Sequence, residues 1–408
     1  MAHRTVLAIA GAALSFLGAS AAHATDWDFS LDTRLVASDG ERSFLDDGLG
    51  TLRYGESKSG IQLGRARIAL TQSIGNILAL HLDASSWGDH DKIPAGLTEA
   101  YFELRPYPID GFRARVRAGA FYAPISLENR ASGWESPYTL SYSAIDSWIG
   151  EELRTIGVDT EVDWLGTQLG HTFDVGVVGG AFGWNEPAGA ELASHGFAID
   201  DRQTVLFGRV GEPGPFPGEG LDEFHEFDGH VGTYVGLNGQ YLDRVFVQAL
   251  HYDNHADPAA FDAALNESAW ETDFNSAGTR VEFPGGWTAI AQWLEGETYL
   301  EPAGVGELEW DFRARYVLLS KQFGQQTLSA RYDAFEVDSD PPNDFGVQNG
   351  HALTLAYLYE PNEHWRFALE AVRVRSAESN RTILLGATTP FATESMLQLS
   401  VRYAIRGN

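Results

Sequence analysis

Residues 394–405 read ESMLQLSVRYAI. Leu397, Leu399, Val401, Tyr403 and Ile405 fall on one parity, and Gln398, Ser400, Arg402 and Arg406 on the other. Successive side chains of a strand point to opposite faces, so this alternation makes one apolar and one polar face. Residues 365–375 repeat it, with Trp365, Phe367, Leu369 and Ala371 on one parity and Arg366 and Glu370 on the other. Working outward from these two segments, the same period predicts strands at 27–36, 61–72, 77–85, 98–105, 112–121, 153–164, 168–182 and 230–241. It continues at 244–252, 273–283, 287–299, 309–323, 327–337 and 350–360.

The connections sort by length. Short turns at 74–76, 106–111, 165–167, 242–243, 284–286, 324–326 and 361–364 alternate with long acidic loops. The longest, 183–229, is rich in Gly, Pro and acid, with a hairpin expected near 204–210. No apolar run beyond the first residues is long enough for a membrane helix. A soluble sandwich has no reason to sort its loops this way. The reading is an all-β chain, a transmembrane antiparallel β-barrel of about sixteen strands with short periplasmic turns and long extracellular loops. The apolar parity would meet lipid and the polar parity would line a lumen wide enough for water. Trp164, Trp287, Trp310, Trp365 and Tyr403, near strand ends, are expected in the interfacial aromatic girdles.

Residues 1–24 carry Arg4, an apolar run over 6–17 and a small-residue end at Ala22-His23-Ala24. That is the form of a cleaved secretory leader, leaving 25–408 as one barrel domain destined for the outer membrane. The chain has 57 acidic and 28 basic residues, a formal charge of −29, and no cysteine. The acidic balance argues against nucleic acid as a partner. The expected partners are outer-membrane lipid and lipopolysaccharide, together with small hydrophilic solutes or ions. Acid clusters at Asp39/Glu41/Asp46/Asp47, Glu219/Asp222/Glu223/Glu226/Asp228 and Asp338/Asp340/Asp344 lack calcium-loop spacing and read as solvated surface. No cofactor is expected.

Arg113, Arg115 and Arg117 stand at i, i+2 and i+4 of one strand, opposite in parity to Ala114, Val116 and Ala118. Three guanidinium groups spaced about 7 Å apart on a water-facing wall form a cationic ladder. Arg65 with Arg67, and Arg313 with Arg315, offer shorter ladders. Glu99, Glu103 and Arg105 share the lumen parity of the adjoining strand. They either set a transverse field against the arginines or simply neutralise them. The loop 122–152 contains Tyr122, Pro124, Glu128 and Arg130, and is rich in aromatics at Trp134, Tyr138, Tyr142 and Trp148. Apolar anchors in a loop need a surface to pack on, and the inner wall is the nearest one, so this loop is expected to narrow the pore.

Enzyme signatures are weak. There is no G-x-S-x-G elbow, and His225-Glu226…His230 is one residue too long for a zinc-protease pair. His171, His251 and His351 are the histidines a barrel hydrolase acting on lipid would draw on. A closed structural or adhesive barrel is the other alternative to a channel.

The segment 116–128, VRAGAFYAPISLE, with 148–157, WIGEELRTIG, resembles the phosphate-selective porin O/P family of Gram-negative bacteria. That family has a G-x-F-x-x-P-x-S-x-E pattern leading into its constriction loop, filled here by Gly119, Phe121, Pro124, Ser126 and Glu128. Glu99-Ala-Tyr-Phe is similar too. The resemblance implies a sixteen-stranded homotrimeric porin with arginines along the conduction path. Two features depart from the family: only Lys58, Lys92 and Lys321 are lysines, and the chain ends Tyr403-Ala-Ile-Arg-Gly-Asn408 rather than on an aromatic residue.

Overall fold

The computed structural model describes residues 25–88, 95–210, 221–339 and 345–407. The leader, 1–24, lies outside them. Sixteen antiparallel strands close into one barrel. They are β1 (Thr25–Ser38), β2 (Gly60–Ile74), β3 (Leu78–Ser86), β4 (Ala95–Leu104), β5 (Phe112–Phe121), β6 (Thr155–Trp164), β7 (Phe173–Gly183) and β8 (Gly232–Tyr241). The other half comprises β9 (Val245–Asp253), β10 (Glu271–Phe283), β11 (Trp287–Leu300), β12 (Leu308–Phe323), β13 (Gln326–Ser339), β14 (Gln348–Tyr359), β15 (Trp365–Glu378) and β16 (Phe391–Gly407). β1 pairs with β16 from Trp27↔Gly407 to Ser38↔Met396, which closes the sheet and leaves no edge.

Every strand expected from the alternation is present. The largest shift in an end is at β7, which starts at Phe173 rather than 168. A 3-10 turn over Gly166–Leu169 ends on Gly170 at φ 90° and takes up those residues. Residues 204–210 contribute only Arg209 and Val210 to a two-residue pairing with Leu221 and Asp222.

In β15 the two faces separate cleanly: Trp365, Phe367, Leu369 and Ala371 are exposed outward, while Arg366, Ala368, Glu370 and Val372 are buried inward. Leu31, Leu35, Val177, Leu237, Leu353 and Leu399 continue the outward apolar surface around the barrel. So many large apolar side chains facing out is the mark of a lipid-facing belt. Trp287, Trp365 and Tyr403 sit outward at the short-turn end, with Trp365 and Tyr403 rings 4.8 Å apart. Trp310 does not join them: it is 2% exposed inside the barrel, and its Nε1 donates to Phe345 O at 2.9 Å.

β12 explains that difference. Its inward face is Trp310, Phe312, Ala314, Tyr316 and Leu318, all buried, so Arg313 and Arg315 face outward rather than into the lumen. Arg313 pairs there with Glu336 of β13. The apolar inward face receives helix α1 (Ala144–Glu152), every residue of which is buried. The Trp148 ring lies 5.1 Å from Phe312 and 5.3 Å from Phe274. A second inward segment carries helix α2 (Ala190–His195), with Leu192 and Phe197 in the same core. The loop 122–154 and residues 184–210 of the next long loop thus fold back into the long-loop end and pack an apolar core within the lumen.

Candidate functional site in the barrel lumen

The loop 122–154 is fastened to the inner wall all round the barrel. Gln248 of β9 donates to Ile125 O at 2.6 Å, and Gln292 of β11 donates to the same oxygen at 2.9 Å while accepting from Leu127 N. Leu127 passes over Gly278, where a Cβ would meet it at 2.5 Å. Arg331 of β13, fully buried, pairs with Glu128 at 2.7 Å and Asp333 at 2.9 Å, and donates to Ser141 O. Glu370 of β15 accepts the N–H groups of Leu140 and Ser141 at 2.6 and 3.0 Å. The bonds to Ile125, Leu127, Leu140 and Ser141 satisfy backbone groups of the loop, so the loop tolerates burial.

The tip of this loop meets a cluster of arginines where β15, β16, β1 and β2 adjoin. Glu135 pairs with Arg402 at 2.5 Å, Arg65 at 3.4 Å and Arg366 at 3.8 Å. Arg67 pairs with Asp83 and donates to Ser132 Oγ at 2.9 Å. Arg34 and Arg53 share Asp201, from the loop 184–231, at 2.5 and 2.7 Å. Burial pushes the Glu135 carboxyl up, but Arg402, Arg65, Arg366 and Arg67 outweigh it and hold it at about 2. Arg34 and Arg53 likewise overcome burial and hold Asp201 well below the usual carboxylate range.

Six arginines here face six carboxylates, Asp28, Asp32, Asp83, Glu135, Asp201 and Glu360. The cluster borders a gap of about 30 Å³ beside Ser30, Thr139 and Ser400, room for roughly two waters. Toward the short-turn end a cavity of about 590 Å³ opens, lined by Asp28, Arg67, Asp83, Glu99 and Arg406 among others.

Arg113, Arg115 and Arg117 lie on the inward parity of β5, but each is matched by a carboxylate of β6. The pairs are Arg113–Asp163 at 2.9 Å, Arg115–Glu161 at 2.6 Å and Arg117–Asp159 at 2.6 Å. The acids that pair with the ladder are those of β6, while Glu103 stands opposite Arg117 in the β4–β5 register. Glu103 pairs with Arg105 at 2.7 Å, and Glu99 accepts the N–H of Tyr122. Tyr122 is clamped between Trp134, stacked at 4.0 Å, and the Arg154 guanidinium at 3.4 Å. Pro124 accepts a hydrogen bond from Gln248, Glu128 is buried against Arg331, and Arg130 is exposed.

Of the residues singled out from sequence, Arg65 and Arg67 belong to the cluster at the loop tip. Arg34, Arg53, Arg366, Arg402 and their partners Glu135 and Asp201 were not singled out. The parity of Arg366 and Arg402 was visible in their strands; their meeting with β1 and β2 follows only from closure of the sheet. His251 and His351 face outward, and His171 lies in the turn before β7.

No protein-family model matches the chain. No curated protein matches it in sequence. Solved structures match over nearly the full length. A loop-deletion form of OmpT, an outer membrane protein of Vibrio cholerae, superposes with a TM-score of 0.54 at 10% identity, covering 94% of this chain and 100% of that one. The anion-selective porin from Comamonas acidovorans gives 0.52 at 12% identity over 94% and 100%. The outer membrane channel DcaP of Acinetobacter baumannii gives 0.51 at 10% identity over 94% and 97%. The chain has the barrel fold that these outer-membrane proteins share.

Proposed function

We propose that this chain is an outer-membrane porin through which small hydrophilic solutes and ions, anions in preference, diffuse without covalent chemistry. The observation that carries the reading is the convergence of Arg65, Arg67, Arg366 and Arg402 on the tip of an inward-folded loop at Glu135, with Arg34 and Arg53 held nearby on Asp201. Rings of one charge in a narrow passage favour ions of the opposite sign, and here Arg402, Arg65, Arg366 and Arg67 all act on the single carboxylate of Glu135. The path runs from the short-turn cavity, past the β5–β6 wall, to the gap at Glu135. At about 30 Å³ the gap passes water and small ions; larger solutes need the tip to move.

The outward apolar belt supports a place in the outer membrane among lipid and lipopolysaccharide. Similarity to OmpT of Vibrio cholerae in its trimer form, at a TM-score of 0.52 and 11% identity, supports a homotrimer. The resemblance of 116–128 to the phosphate-selective porins supports an anionic solute, with arginine in place of the lysine those proteins use. The filled upper lumen favours one other reading, a closed structural barrel. Liposome swelling separates the two: the channel admits small anionic solutes faster than cationic ones of equal size, and a closed barrel admits neither.

A further inference from the structure

The two inward loops meet through carboxylates. Glu151 and Glu152 end α1, Glu191 lies in α2 and Glu223 follows the short pairing of Leu221 and Asp222; all four are at most 1% exposed. Oxygens of Glu152, Glu191 and Glu223 lie within 4.8 Å of one another, and so do ligand atoms of Glu151, Glu191 and His195. Glu152 is well supplied with donors: Gly189 and Glu191 N–H groups reach Oε1 at 3.1 and 2.7 Å, and Trp148 Nε1 donates to Oε2.

Glu191 and Glu223 are different. None of their four carboxylate oxygens has a hydrogen-bond partner among the described residues. His195, 3% exposed, is also without a hydrogen-bond partner at Nε2, which points into the cluster 3.4 Å from Glu191 Oε2. Ionised carboxylates removed from water and from donors need a cation or a proton. Opposite oxygen ligands of calcium stand about 5 Å apart, twice the usual bond length, which is the span of this cluster.

We infer that Glu152, Glu191 and Glu223, with Glu151 alongside, form a binding site for a hard divalent cation of the calcium type. The cation ties α1 to α2 and to residue 223, and so fixes both loops inside the barrel. An all-oxygen donor set of this charge suits calcium over softer metals.

The test uses the full-length barrel, folded in detergent, stripped with EDTA and dialysed. Terbium is titrated in, with emission sensitised by Trp148 beside Glu152, and calcium is then added as competitor. One saturable component displaced by calcium is expected. Glu191→Gln and, as a second variant, Glu223→Gln should each weaken binding at least about 100-fold, as loss of a charged ligand does. Asp311→Asn, in the more exposed group Glu297/Glu309/Asp311, should leave the affinity unchanged. Calcium should also raise the unfolding temperature of the wild type but not of Glu191→Gln. No saturable emission from folded wild type, or equal affinity in the folded variants, overturns the site and leaves the carboxylates protonated. Binding needs no conductance, so this inference and the channel reading fail separately.

Discussion

Glu135→Gln is the perturbation that bears most on the lumen. Glu135 faces Arg402, Arg65 and Arg366 at 2.5, 3.4 and 3.8 Å, and its carboxyl is held at about 2 against an ordinary 4.5. At ~1.4 kcal/mol per tenfold, that difference corresponds to about 3 kcal/mol between the ionised group and its surroundings. Glutamine keeps the shape and removes the charge. The tip then loses up to about 3 kcal/mol of its hold on the wall, roughly 100-fold in the ratio of docked to undocked tip. The loop as a whole stays in, because Glu370, Arg331 and Gln292 hold it elsewhere. Removing the carboxylate also makes the gap more positive by one charge. In planar bilayers the variant should show larger or more frequent openings and a reversal potential moved further toward anions. The pH dependence follows by sign. A carboxyl depressed on folding contributes its full stabilisation above about 4.5 and loses it as pH falls toward 2. Wild-type conductance should therefore be flat above that window and rise below it, and the Glu135 share of that rise should vanish in the variant. Identical conductance and reversal potential in wild type and Glu135→Gln at neutral pH would refute this account of the tip.

Three further outcomes follow from the packing. Arg331→Met strands Glu128 and Asp333, both fully buried, and should cost ~3–5 kcal/mol; the barrel should lose its folded gel mobility at a lower temperature than wild type. Trp148→Ala removes the ring that α1 sets against Phe274 and Phe312 and should cost ~3–5 kcal/mol of loop packing, seen as faster proteolytic cutting within 122–154. Replacing Arg113, Arg115 and Arg117 together by alanine leaves Asp159, Glu161 and Asp163 uncompensated and should shift the reversal potential toward cations; an unchanged potential takes the β5–β6 wall out of the path.

Much of the barrel was legible in the sequence, because a strand that meets lipid on one face and the lumen on the other must alternate. β15 and β16 declare their faces residue by residue. β12 does not, since Phe312, Tyr316 and Leu318 point inward to meet α1 while Val317 and Leu319 point outward to lipid. With both parities apolar, Arg313 and Arg315 carried no sign of which way they faced, and Trp310 read as a girdle residue. The β5 ladder was visible as three arginines at alternate positions, but Asp159, Glu161 and Asp163 become its partners only through the β5–β6 register. The loop-tip cluster draws residues from both ends of the chain. Arg402↔Asp32 and Arg366↔Arg402 are neighbours by pairing, which local periodicity does not encode. The buried carboxylates of α1 and α2 were hidden for a related reason. Glu223 stood in an acid-rich stretch that resembles solvated surface, and only the inward fold of both loops brings it to Glu191.

The most direct test of the central claim is the reversal potential of the purified wild-type protein in a planar bilayer across a potassium chloride gradient. Stepwise openings with an anion-preferring potential are the expected result, set by the arginines that converge on Glu135. A silent bilayer, from protein shown to be folded and inserted, would contradict it and leave a closed barrel.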